Sequence, residues 1–93
     1  MQQTQDLRIL VVREGEMLVA QCVELDVSTQ ASDMKTLHKR MDALLELEMQ
    51  LSEEKTGDPH AGIPKAPEVF DEMWSRSELL ANGISGKPTA IAA

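Results

Sequence analysis

The sequence predicts an α+β fold in which an antiparallel three- or four-stranded sheet carries one long helix on a face, followed by a short C-terminal helix. Three observations predict it. Two β-rich runs flank a glycine-containing turn near the start of the chain. A stretch of more than twenty residues then places apolar groups at helical spacing. Finally, 42% of the residues are apolar, too many for a disordered chain and ordinary for a packed one.

Each element has its own local signal. Leu7–Val12 (LRILVV) is rich in β-formers, and Arg13-Glu14-Gly15-Glu16 supplies a turn with a glycine where φ can be positive. Met17–Leu25 (MLVAQCVEL) reads as the returning strand. Leu7, Ile9 and Val11 fall on one side of the first strand and Leu10 and Val12 on the other, so both faces of the hairpin are apolar. One face is expected to meet a helix and the other a second subunit. Val27–Ala31 is short enough for a third strand and carries the β-branched Val27 and Thr29. Asp33 is suited to cap the helix that follows. From Met34 to about Glu54, apolar residues at 34, 37, 41, 44, 45 and 51 share a stripe opposite Lys35, Lys39, Asp42, Glu46 and Gln50. Gly57 and Pro59 stop this helix, and a Pro/Gly-rich segment runs to Pro67. Within residues 55–66 a fourth strand is an open choice. Pro67 opens a second helix over Glu68–Leu80, with Val69, Phe70, Met73 and Trp74 on one stripe. Residues 1–5 are expected to be disordered, residues 6–80 to form the domain, and residues 81–93 to be a flexible tail.

Composition narrows the function classes. The net charge is −7, which repels phosphate backbones and disfavours direct nucleic-acid binding. It suits a basic protein partner, or simply solubility. Cys22 stands alone, no signal peptide is evident, and no apolar run reaches the roughly 18 residues a membrane span needs, so the chain reads as cytoplasmic. Phe70 and Trp74 are the only aromatic residues, so the core is aliphatic and self-association is an economical way to enlarge it.

No catalytic constellation is legible. His38 and His60 show no ligand spacing with Cys22, so no metal or other cofactor is expected. Cys22 lies in an apolar strand, where a thiol is ordinarily inert packing. Ser28, Ser32, Ser75, Ser77 and Ser85 lack the G-x-S-x-G context, and Gly83–Lys87 follows no strand and has no phosphate-loop spacing. Two groups of residues are candidates for contact with a partner or a second copy. Glu46, Glu53 and Glu54 give the long helix an acidic end, which is either a solvated face or a docking patch for a basic surface. Phe70, Met73 and Trp74 are either the packing face of the second helix or an interface anchor.

The stretch MLVAQCVELDVSTQ, followed by a helix beginning at ASDMKTL, resembles the second strand, turn and helix crossover of HicB-like antitoxin domains. Ala20 and Cys22 sit where those domains commonly carry Ala and Cys, and Val23-Glu24-Leu25 occupies their Pro-Glu-Leu-type turn. The later AGIPKAPEVFDEMW looks like a Gly-x-Pro-x-Ala-Pro-x-x-Phe motif found after such domains in short bacterial proteins. Together these cover residues 7–80. The chain departs from the pattern at Ala31, where a Gly is usual, and at Thr36-Leu37, where Glu-Ala is usual. The resemblance implies a partial ribonuclease H-like fold without nuclease activity. It also implies toxin–antitoxin biology: an acidic, non-catalytic domain that self-associates and covers the active site of a small basic toxin or nuclease. Residues 81–93 offer Lys87 as their only charge, so the family's DNA-binding half is not implied. Two rival roles fit the same scaffold, a small-molecule sponge or anti-defence factor, and a transcriptional regulator.

Overall fold

The computed structural model describes residues 6–92; the expectation for residues 1–5 lies outside them. The chain runs β1 (Ile9–Glu14), β2 (Met17–Cys22), β3 (Ser28–Ala31), α1 (Met34–Thr56), α2 (Val69–Ser75), β4 (Glu78–Leu79), a short 3-10 turn (Ile84–Gly86) and β5 (Thr89–Ile91).

β1 and β2 pair antiparallel from Ile9↔Cys22 to Glu14↔Met17, leaving a two-residue turn at Gly15-Glu16. Gly15 takes φ 58°, the region such tight hairpins demand and glycine enters without steric cost. β3 adds antiparallel to β2, and the first three strands stand within a few residues of their expected bounds. α1 also matches the periodicity. Asp33 accepts the Thr36 amide at 2.8 Å in an N-cap, and the helix ends at Gly57.

The sheet itself corrects the expectation. It has five strands in the order β3-β2-β1-β5-β4, and it is mixed, because β5 pairs parallel to β1 through Leu10↔Ala90 and its neighbours. Residues 81–92 are therefore no flexible tail. Thr89 and Ala90 are buried, and Ile84 enters the main core against α1. The second helix is shorter than expected, ending at Ser75, and β4 takes over two of the residues assigned to it. No strand forms in residues 55–66. That segment is instead tied down by polar contacts: Ser52 Oγ donates to the Asp58 carbonyl and accepts from the Gly62 amide, both at 2.7 Å. Further on, the Asp26 amide donates to the Pro64 carbonyl at 2.6 Å.

Strand alternation decides what each face holds. Ile9, Val11, Leu18, Ala20, Cys22 and Ala31 meet Leu37, Met41 and Leu45 of α1 in one aliphatic core. The register places Leu10, Gln21, Ala90 and Leu79 together on the opposite face. Leu10 is already fully buried there, so this face is covered in part by the chain's own residues rather than left wholly to a second subunit.

Candidate functional site

The site grows from Arg8. Being next to Ile9, which points into the α1 core, Arg8 projects to the other side of the sheet. Its Nε donates to Glu24 Oε2 at 2.5 Å and its Nη2 to Asp71 Oδ1 at 2.7 Å, while its backbone amide donates to Glu24 Oε1 at 2.6 Å. The guanidinium also lies 5.4 Å from the centre of the Trp74 ring. Lys65 Nζ completes the cluster, donating to Asp71 Oδ2 at 2.6 Å. These contacts fasten α2 to the sheet face opposite α1, and they explain how Glu24, only 8% exposed, is tolerated as a buried carboxylate.

The charges follow from the contacts. Burial works against the Arg8 cation, but its hydrogen bonds to the Asp71 and Glu24 carboxylates outweigh it and raise its pKa. Asp71 moves the other way, held below the usual carboxylate value by Lys65 and then Arg8. Two cations face two carboxylates, so the cluster is a neutral clasp and not a charged ligand site.

Around the clasp lies an apolar surface. Val69 is 50% exposed and Leu79, on the edge strand, 73%; Phe70, Met73 and Trp74 are half-buried. α2 buries none of its residues fully, because seven residues make only two turns and present a single stripe. A groove of about 520 Å³ runs beside it, lined by Asp6, Arg8, Trp74, Ser77, Leu79 and Pro88. Asp6, one of the lining residues, is exposed and puts a carboxylate in the groove; Glu68, Glu72 and Arg76 are also exposed, on or beside α2. Large exposed apolar groups beside acidic ones form the anatomy of a protein-binding patch.

The structure thus keeps Phe70, Met73 and Trp74 on one short helix and sets Trp74 in a groove with Leu79, Arg8 and Asp6. Leu79 was missed because its neighbours read as the end of a helix. Arg8 was missed because its partners are distant in sequence, Asp71 by 63 positions. Glu46, Glu53 and Glu54 belong elsewhere. They are exposed on α1, across the sheet from α2. Glu46 borders a shallow hollow with Asp42, Met49 and Lys87, so a cation already offsets part of its field.

The remaining chemical candidates sit apart. Cys22 is fully buried in the main core, and burial raises its thiol pKa, which keeps it protonated and unreactive. His38 lies 3.8 Å from Asp42 one helical turn on, both half-exposed on α1. His60 follows α1 in the segment of residues 55–66, where its amide donates to Asp58 Oδ1 at 2.7 Å. Among the described residues no three His, Cys, Asp or Glu side chains converge as a metal site would require, and no helix is long and apolar enough to cross a membrane.

Set against known proteins, the chain matches no family model, no curated protein and no solved structure.

Proposed function

We propose that this chain is a non-catalytic, HicB-like binding protein that inhibits or sequesters a basic partner protein in the cytoplasm by covering part of its surface. The observation that carries the reading is the α2–β4 patch, where half-buried Trp74 and exposed Leu79 line one groove with exposed Asp6. Trp is the residue type most often dominant at interfaces, and its effect depends on being desolvated by the partner. A net charge of −7 attracts a cationic surface, and Asp6 in the groove gives it a carboxylate to meet. The family resemblance of residues 7–80 points the same way, since such domains act by occlusion. Self-association belongs to the same reading, enlarging a small chain's buried surface.

Affinity capture from the native host at low salt tests this with wild-type protein and Leu79→Glu. Leu79 is 73% exposed, so the substitution leaves the fold intact. Wild type is expected to retain one basic protein that salt releases and that Leu79→Glu retains at least tenfold less, the consequence of losing about 1.4 kcal/mol or more at an interface anchor. Equal retention by the two proteins, or none by either, contradicts the reading.

A further inference from the structure

One flank of α1 carries apolar residues left exposed among the described residues. Leu47 is 50% exposed and Leu51 41%, Ala43 is exposed, and Leu44 beside them is half-buried against the main core. These residues lie on the side of the helix next to β3, because Arg40, in the same row, reaches that strand: its Nη1 donates to the Gln30 carbonyl at 2.6 Å. The contact occupies an outward carbonyl of the sheet edge with a cation, a device that discourages strand-to-strand addition. The helix flank above it stays open.

The order of residues along this row is self-complementary. Arg40, Ala43, Leu47, Leu51 and Glu54 follow one another at spacings of three, four, four and three residues, a palindrome centred on Leu47. Lys35, Lys39 and Arg40 lie in the first half of α1 beside Asp42, and Glu46, Glu48, Glu53 and Glu54 in the second beside Lys55. Apart from Asp42 and Lys55 that is the reverse of what the helix dipole favours. We propose that a second copy of this chain docks on this flank, the two α1 helices packing antiparallel about a two-fold axis through Leu47 so that Arg40 of each faces Glu54 of the other. Two-fold contacts are isologous, so one favourable pair is made twice. A parallel alignment would set Arg40 against Arg40 and Glu54 against Glu54, which selects the antiparallel one. Arg40 keeps further donors for Glu54 while one of them holds Gln30. The proposal rests on the self-association included in the proposed function but not on the α2–β4 patch, which lies across the sheet; a dimer formed here leaves both copies of that patch open.

Sedimentation equilibrium of the purified chain from micromolar to millimolar concentration, at low salt, tests the proposal. The apparent mass is expected to rise from 10.3 kDa toward twice that value. Leu47→Glu is expected to stay at the monomer mass, with unchanged circular dichroism confirming that this half-exposed position tolerates it. Arg40→Glu and Glu54→Arg are each expected to weaken association roughly tenfold. The double variant restores it, although it still lacks the Gln30 contact. A wild type that remains monomeric throughout overturns the proposal, as does a Leu47→Glu protein that associates normally. A double variant no better than either single one overturns the antiparallel register.

Discussion

Arg8 and Asp71 stand 63 positions apart, yet their contact decides where α2 lies. Asp71 is tuned by Lys65 first and Arg8 second, both stabilising its ionised form. With the folded value lowered, its contribution to stability is complete above the unfolded carboxylate value of about 3.9 and fades as pH falls through the folded value. Asp71→Asn is accordingly expected to lower the urea midpoint at about pH 6, with the gap from wild type narrowing as pH falls below the unfolded carboxylate value; a gap that stays constant into acid would place the effect elsewhere. Gly83 is a second residue whose role is steric. A Cβ built on it would lie 2.0 Å from the Lys87 carbonyl oxygen, in a loop where Thr89 Oγ1 accepts the Ile84 amide at 2.8 Å. Gly83→Ala should destabilise the protein by about 1–3 kcal/mol in chemical denaturation, the ordinary cost of forcing backbone apart. Neither role is visible in sequence. Asp33 was legible because a cap acts within three residues, whereas Arg8 and Gly83 act on groups brought near by the fold.

At the scale of elements, the first half of the chain declares itself and the second does not. The LRILVV and MLVAQC runs, the Gly15 turn and the α1 stripe are local patterns, so β1, β2 and α1 could be placed from them. β4 and β5 are two and three residues long, too short for alternation to register. Their assignment depends on β1 offering an edge to the Thr89–Ile91 segment, which is a parallel pairing across most of the chain. The Gly- and Ala-rich composition of residues 81–93 therefore looked like a tail, while Thr89–Ile91 within it forms the strand between β1 and the edge strand β4. Ile84→Ala separates the two descriptions. Ile84 is 1% exposed against α1, and truncating it should cost about 2–5 kcal/mol. Denaturation curves that superimpose on wild type would mean that this segment contributes little. The candidate site divides in the same way: the Phe70, Met73 and Trp74 stripe was readable from helical spacing, and Leu79 beside it was not.

For the molecule as a whole, the fold arranges two unlike surfaces on opposite sides of one sheet. α1 covers the main core and bears a charge-segregated flank; α2 and β4 bear an apolar patch with acidic neighbours, fastened by the Arg8 clasp. Buried reactive groups are committed to packing, as with Cys22 in the core and Thr89 in its loop. The function proposed above lies in what the surface covers, with the α2–β4 patch at its centre. Site-specific photo-crosslinking tests that claim most directly. A benzophenone side chain in place of Leu79, irradiated in native-host extract, should yield one adduct with a basic protein, suppressed by added salt; the same probe in place of Lys39, on the far side of the sheet, should not capture it. Adducts to that protein from position 39 with none from position 79 would contradict the account.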